Sequence, residues 1–477
     1  MSSSCESEKS RGESSDEKAT QGVYIRTFGC AMNEHDTQKL YKILEKDYHP
    51  VDAPEKADLV LINTCSVREK PEQKLYSMLG EMRALKATNP KMMVGVCGCV
   101  AQQEGEAILK KGRAVDLVFG THNLSLVPSL IQLRKKGAPP QVAVNYREDW
   151  EELPLGFADT VPATNGKTSN VTAFISISRG CNKSCTYCIV PTTRGPEVSR
   201  ALSEIEREAR IAAHRGSKEI VLLGQTVNSY GLDLSPRVSF VHLLNKISSI
   251  DGVERIRFLS PHPQEVRADF IECVSSNPKV CRHIHMPLQS GSDRILKLMN
   301  RNYRRAKYLK IIEDLKSRVP DMAITTDIIV GFPGETEEDF QETLEIMDLV
   351  QFDLSYSYAF SPRPGTPAAD MPELITHEEK LRRLQAVQAK QEEIQSARLD
   401  QWVGKTAEVL IDNYNRMDDR CFQGRISQNF VVNFTTPYQG LALGSLVKAK
   451  IIGRKRYTLV GEVEGQSRVD LSGGPVS

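Results

Sequence analysis

From residue 21 onward, short runs of aliphatic and β-branched residues alternate with longer stretches whose apolar positions recur every three or four residues. VYIRTF (23–28), DLVLIN (58–63), MMVGVC (92–97) and VDLVFG (115–120) read as strands, and the rhythm near 35–47, 72–87, 101–111 and 124–135 reads as helices. Strands separated by helices do not pair as hairpins. They predict a parallel sheet covered on both faces, an α/β domain over 21–138. Residues 139–166 are rich in Pro, Asp, Asn and Gly without a period, and read as a linker.

The alternation resumes on a larger scale over 167–400. TAFISIS (172–178), KEIVLLG (218–224), ERIRFLS (254–260), CRHIHMPL (281–288), AITTDIIVG (323–331) and LSYSYAF (354–360) are strand candidates, with helices near 203–215, 239–249, 266–275, 292–317 and 336–350. Six such repeats suit a partial (βα)6 barrel of TIM-like type, whose ligands sit at the carboxyl ends of the strands. A long helix over 376–402, with a weak apolar stripe at Leu381, Leu384, Val387 and Ile394, closes this domain. Over 401–464 the pattern changes to short strands and turns, the signature of a small OB-like β-barrel. The ends, 1–20 and 465–477, read as disordered tails.

Length and composition narrow the class. A chain of 477 residues is enough for about two to four domains. With 62 basic and 61 acidic residues the net charge is +1, so any site for a polyanion is a local patch rather than a global field. The 401–464 unit is such a patch: nine Lys and Arg stand against six acids. The first twenty residues are Ser-rich and charged and contain no apolar core of a signal peptide, and no stretch is apolar enough to span a bilayer. A cytoplasmic protein with no membrane association is expected. In a reducing compartment eleven cysteines point to metal or redox chemistry rather than disulfides.

Three of those cysteines, Cys181, Cys185 and Cys188, fall within CNKSCTYC directly after the first barrel strand. A closed thiolate site takes four ligands, and no fourth Cys or His lies within ten residues of this group. Three thiolates on one loop suit an iron–sulfur cubane with one iron left open for a substrate or cofactor. A zinc site completed by a distant Cys or His is the alternative. Later strand ends carry small and amide residues suited to a zwitterionic ligand: Gly224, Gln225 and Asn228 after the second, Gln289 and Ser290 after the fourth, and Asp327 and Gly331 on the fifth. His283 and His285 share one face of the fourth strand and read as barrel-interior packing. No general acid or base is assigned.

Four further cysteines, Cys30, Cys65, Cys97 and Cys99, follow the first three strands of the N-terminal domain, where a doubly wound sheet collects its ligands. Three of them suffice for a second cluster with an open iron. The competing reading is that each is an ordinary buried hydrophobe.

The words around these cysteines carry a resemblance. CNKSCTYC resembles the signature of the radical S-adenosylmethionine (SAM) superfamily, in which SAM chelates the open iron of a [4Fe–4S] cluster and is cleaved to a 5′-deoxyadenosyl radical. Tyr187 matches the aromatic position beside SAM, and the superfamily's strand ends imply SAM contacts at Gly224, Gln225, Asn228, Gln289, Ser290, Asp327 and Gly331. TFGCAMNEHDT, NTCSVREKPEQK and GCVAQQEG resemble the three N-terminal motifs of the methylthiotransferases, which maps a second [4Fe–4S] cluster onto Cys30, Cys65 and Cys99. Cys97 departs from the family pattern and is left outside the cluster. Pro71 departs as well, and marks the start of the second helix.

The resemblance covers residues 21–464 and makes the C-terminal unit a TRAM domain, associated with RNA binding. The wording GCAMNEHD, NTCSVREK and CTYCIVPTTRGPEVSR is most similar to the branch that methylthiolates C2 of N6-isopentenyladenosine at position 37 of tRNA. That implies two SAM molecules per turnover, a sulfur source, an external reductant such as flavodoxin or ferredoxin, tRNA as partner, and a monomer. Arg425, Lys448, Lys450, Arg454, Lys455 and Arg456 would hold RNA backbone, with Arg194 and Arg200 meeting phosphate nearer the site. Sister branches that act on a ribosomal-protein aspartate or on threonylcarbamoyl-adenosine are the alternatives. A non-enzymatic iron–sulfur carrier with an RNA-binding tail is a third.

Overall fold

In the N-terminal domain, β1 (Gln21–Phe28), β2 (Tyr48–Pro50), β3 (Leu59–Thr64), β4 (Met93–Cys97), β5 (Leu117–Phe119) and β6 (Gln141–Ala143) form one parallel sheet in the order β2-β1-β3-β4-β5-β6. The structure, a computed structural model, describes residues 21–66, 69–147, 153, 170–414, 421–435 and 441–463. The expected tails at 1–20 and 465–477, and most of the expected linker, lie outside the described residues.

All six residues of LVLINT in β3 are buried, because both faces of this central strand are covered. Leu59 and Leu61 pack under α1 (Ala31–Leu44) and α5 (Val127–Lys135), while Val60 and Ile62 pack under α2 (Glu69–Thr88), α3 (Cys99–Glu104) and α4 (Ala107–Lys111). Two strands escaped the pattern. β2 and β6 are three residues each, too short to show a period. The sheet therefore runs to Ala143, and the boundary expected at 138 is corrected. The second helix begins at Glu69 rather than at Pro71, since a proline is tolerated within a first turn whose N–H groups have no intrahelical partner.

The barrel strands are β7 (Thr172–Ser176), β10 (Glu219–Leu223), β11 (Arg255–Phe258), β12 (His283–His285), β13 (Ala323–Val330) and β14 (Leu354–Ala359), and β8 (Ser178–Arg179) and β9 (Val198–Ser199) make a two-residue ribbon. They form two parallel three-stranded sheets, β11-β10-β7 and β12-β13-β14, bridged where Cys281 N donates to Ile256 O and Ile256 N to Lys279 O. Outside them lie α7 (Leu202–His214), α8 (Phe240–Ser248), α9 (Ala268–Ser276), α11 (Arg305–Arg318) and α12 (Glu337–Val350), which share one core with the strands. The single helix expected over 292–317 is two, α10 (Asp293–Leu298) and α11, because Asn300 takes a left-handed φ of 54° that ends the first.

The last helix, α13 (His377–Asp400), runs back along the barrel. Lys380 lies over Gly331 at the carboxyl end, and Arg398 Nε donates to Asp353 Oδ1 just before β14 at the amino end. It delivers the C-terminal domain to the amino ends of the strands. There β15 (Thr406–Tyr414), β16 (Cys421–Arg425), β17 (Val431–Thr435), β18 (Leu446–Arg454) and β19 (Leu459–Val463) close a barrel in the order β15-β16-β17-β19-β18. Arg255 and Arg257 of β11 clamp it through the carbonyls of Arg425, Glu408 and Ser427.

Candidate active site

Cys30, Cys65 and Cys99 follow β1, β3 and β4, three adjacent strands, so residues 69 positions apart meet at the carboxyl end of the sheet. Cys30 caps α1 and Cys99 opens α3. Between β4 and Cys99 the chain turns at Gly98 with φ +89°, where a Cβ would collide with Asn63 Oδ1 and the Thr64 carbonyl. Asn63 is the brace of this end: its amide donates to Asn33 O at 2.8 Å and to Thr37 Oγ1 at 3.0 Å, and its Oδ1 accepts from Asn33. Asn33 Oδ1 in turn accepts from Cys30 Sγ. The AMN and INT stretches beside the cysteines thus hold the strand ends together.

The Cys65 thiol hydrogen-bonds both neighbours. These bonds pull Cys30 and Cys99 down from the ordinary thiol range against the opposing effect of burial, and the Arg194 charge pulls them further. Cys97 faces the other way. It is fully buried in the α1–α5 core, where burial pushes its thiol well up, and it takes no part in the triad.

The residues after Cys30 reach into the barrel. Ala31 and Met32 pack on Phe174, Val221, Leu223 and Leu259, side chains of β7, β10 and the end of β11. The second triad stands at the same end, on the loop after β7. Gly180, at φ +72°, admits the turn because a Cβ there would run into the Pro196 carbonyl. Cys181 N then donates to Gly195 O, its Sγ meets Thr226 Oγ1 at 3.5 Å, and Lys183 N donates to Cys181 Sγ at 3.4 Å. Asn300 holds Ser184 by both backbone and side chain, and Arg301 Nη1 reaches Cys185 Sγ at 3.8 Å. Burial pushes the Cys188 thiol up to about 12. Tyr187 lies against Ile295, Met299, Phe332 and Phe360, and burial raises its hydroxyl as well.

Among the described residues no group of three His, Cys, Asp or Glu side chains is drawn together around a single ion. A cubane asks for something different, one thiolate on each of three irons. The surroundings of the second triad suit a zwitterion there. Ser178 Oγ, Glu197 Oε1, Gln225 Oε1 and His262 Nε2 are buried without a hydrogen-bond partner, and burial lifts the Glu197 carboxyl to about 7. Gly224 lies against Ser178, leaving no room for a side chain.

The remaining candidates divide. Gln289, left-handed at φ 73°, gives its N–H to Asp327 O, and Asp327 Oδ2 meets His285 Nε2 at 3.3 Å. His283 and His285 both bond Thr325 Oγ1, so they are a hydrogen-bonded string across the barrel rather than plain packing. Asn228 uses both ends of its amide on the His262 backbone, Ser290 is fully buried against Thr343 and Ser292, and the Gly331 N–H is held by Glu335. In this structure these three shape their loops.

Two further corrections concern arginines. Arg194 and Arg200 are 6% and 5% exposed, not poised for phosphate. Arg194 pairs with Asp36 at 3.0 Å, and Arg200 with Glu208 at 2.6 Å. Sequence reasoning missed Arg301 altogether, since nothing in NRNY separates a buried cation from a surface one. In the C-terminal barrel Lys448, Lys450, Lys455 and Arg456 are exposed; Arg425, Arg454 and Arg456 are paired with Asp412, Asp400 and Glu392.

Comparison with known proteins accounts for this arrangement. Residues 22–120 match the uncharacterized protein family UPF0004, and residues 175–347 match the radical SAM superfamily. The tRNA-2-methylthio-N6-dimethylallyladenosine synthase of Geobacter sulfurreducens is 42% identical over 442 residues, covering 92% of this chain and 97% of the relative. That of Nitrosomonas europaea is 44% identical over 447 residues, covering 92% and 98%.

The chain belongs to the tRNA-2-methylthio-N6-dimethylallyladenosine synthase family of radical SAM enzymes.

This member of the synthase family joins an N-terminal domain to a radical SAM barrel. The fold is shared more widely. The radical SAM methyltransferase TsrM of Kitasatospora setae, with cobalamin and a [4Fe-4S] cluster bound, superposes with a TM-score of 0.54 at 14% identity over 73% of this chain and 77% of that one. OxsB, a cobalamin-dependent SAM radical enzyme, gives 0.50 at 12% identity, covering 78% and 56%.

Proposed function

We propose that this chain transfers a methylthio group to C2 of N6-isopentenyladenosine at position 37 of tRNA, using SAM and two [4Fe–4S] clusters. The observation that carries the reading is the meeting of two cysteine triads at one barrel mouth, with α1 inserted between the N-terminal sheet and the barrel strands. C2 of adenine is an unactivated C–H carbon that no acid–base step reaches, so the chemistry belongs to a cofactor. When bound, a cluster on each triad, with two SAM molecules per turnover, supplies hydrogen abstraction at the barrel and methylated sulfur at the N-terminal domain.

The protein's part is to hold and orient. Cys181, Cys185 and Cys188 would hold one cluster and Cys30, Cys65 and Cys99 the other, three thiolates each. Tyr187, Gly224, Gln225, Gln289 and Asp327 bound the SAM site, with the unpartnered Gln225 Oε1 available to its ammonium group. The Phe174, Val221 and Leu259 wall beneath Met32 keeps this end of the barrel apolar, so a radical formed there is shielded from water. The base itself comes from an anticodon loop, which is splayed at less cost than a duplex.

The exposed cations of β18 and the turn after it, Lys448, Lys450 and Lys455, contact the RNA backbone. They sit at the amino end of the barrel. The eight residues of β13 span about 26 Å, so these contacts fall on a different part of the tRNA from the reacting base. The chain acts as a monomer in the cytoplasm and draws electrons from a flavodoxin or ferredoxin. No described helix is long and apolar enough to cross a membrane.

The test is anaerobic reconstitution with iron and sulfide, incubation with SAM, reductant and isopentenylated tRNA, and mass spectrometry of the nucleosides. A methylthio-isopentenyladenosine product is expected. Absence of that product together with modification of a ribosomal-protein peptide would overturn the substrate assignment.

A further inference from the structure

Arg194 is the last residue of α6 (Val190–Arg194), six positions beyond Cys188, and so belongs to the loop that carries the second triad. Its guanidinium is nonetheless buried against the first. It pairs with Asp36 of α1 and acts on Cys30 and Cys99 from close by. The turn bearing it is fastened on both sides: Thr193 O accepts from Thr121 of the N-terminal domain at 2.8 Å, and Gly195 O accepts from Cys181 N.

An iron–sulfur cluster on three thiolates is a net anion, and it gains a further negative charge on reduction. In a site where Cys65 and Cys99 are buried and Cys30 stands at the exposed rim, that charge gains from a nearby cation. We propose that Arg194 is a positioning residue of the N-terminal cluster, a cation supplied by the barrel's cysteine loop that seats Cys30 and Cys99 and raises that cluster's reduction potential. The inference rests on the reading that Cys30, Cys65 and Cys99 hold a cluster. A cation favours the more negative, reduced state, and Asp36 acts in the opposite sense. The first cluster's potential thereby depends on the second cluster's loop being in place.

The experiment uses the full chain carrying C181A, C185A and C188A, so that iron is held at the first triad alone. Iron content and an electron paramagnetic resonance redox titration are recorded for this background and with R194Q, R194K or D36N added. Absence of any cluster in the background would overturn the two-cluster reading and this inference together. With the cluster present, R194Q is expected to shift the potential negative, D36N to shift it positive, and R194K to stay near the background. A purely structural role would lower occupancy in both R194Q and D36N without opposed shifts. An unchanged potential in R194Q, or shifts of the same sign in R194Q and D36N, would overturn the inference alone. Should R194Q hold no iron, D36N decides: a positive shift supports the proposal, and none overturns it.

Discussion

Arg301 Nη1 donates to Cys185 Sγ across 3.8 Å, while its Nη2 donates to Pro287 O at 2.7 Å and its Nε to Tyr303 Oη at 3.0 Å. The guanidinium is buried and ties the cysteine loop to the carboxyl end of β12. Outer-shell partners of metal ligands typically change affinity or activity by about 10–100-fold when removed. R301Q is therefore expected to lose iron from the barrel cluster and to lower 5′-deoxyadenosine formation by about that factor, while iron bound by Cys30, Cys65 and Cys99 stays. Iron analysis beside SAM-cleavage assays checks this; full retention of both would contradict it.

Cys97 and Cys99 stand two residues apart and do different work. C99A is expected to abolish the N-terminal cluster. C97A empties a small volume in the α1–α5 core, costs on the order of 1 kcal/mol, and keeps iron at the wild-type level. Equal iron loss in both variants would show that Cys97 belongs to the site.

Between the domains Glu208 of α7 is sealed, fully buried, by Lys39 of α1 and by Arg200. Burial opposes its ionisation, and the two cations outweigh it, holding the carboxyl at about 2. E208Q removes the buried anion facing Lys39 and Arg200, Arg200 keeping Glu204 at 3.5 Å, and is expected to cost about 3–5 kcal/mol. K39M leaves Glu208 its Arg200 partner and should cost clearly less. Denaturant titration of both variants reads the difference, and the reverse order would refute this account of the interface.

His35 lies in the same interface with neither ring nitrogen bonded, and burial, then the Lys39 charge, holds its pKa at about 3. The unfolded chain takes up a proton near pH 6.5 and the folded one does not, so stability falls as pH drops from 6.5 toward 3. At pH 5 the loss from this residue is about 2 kcal/mol. In H35Q the denaturation midpoint should change less between pH 7 and pH 5 than in the wild type. The carboxyl of Glu208 adds its own loss only lower, between about 4.5 and 2.

On β18 Val447, Ala449 and Ile451 point into the small barrel, leaving Lys448 and Lys450 outward. With Lys455 they are exposed, Glu408 and Glu462 standing opposite Lys448 and Lys450 on the neighbouring strands. The triple alanine variant is expected to weaken tRNA binding and to flatten the log–log salt dependence by about 2 to 3 units of slope. R454A and R456A, whose guanidiniums already serve Asp400 and Glu392, should flatten it less.

What was readable in advance follows the physics of each feature. Fully buried strands such as LVLINT and long amphipathic helices declare themselves by period, and cysteines at strand ends converge once the strands are adjacent. Edge strands of three residues do not declare themselves, nor does a helix break that depends on one left-handed Asn300. Arginines were the least legible. The same side chain serves as surface cation or buried counter-ion, and Arg194, Arg301 and Arg200 are decided by contacts 158, 116 and 8 positions away, with Asp36, Cys185 and Glu208.

The seating of Ala31 and Met32 on Phe174, Val221, Leu223 and Leu259 bears on how the protein is divided. A truncated chain beginning at the barrel would leave those four side chains facing solvent, and one ending before it would leave Met32 stranded beside a free thiol. Neither half is a self-sufficient fragment, so a cut between them removes the lining of one half and the support of the other at a single stroke.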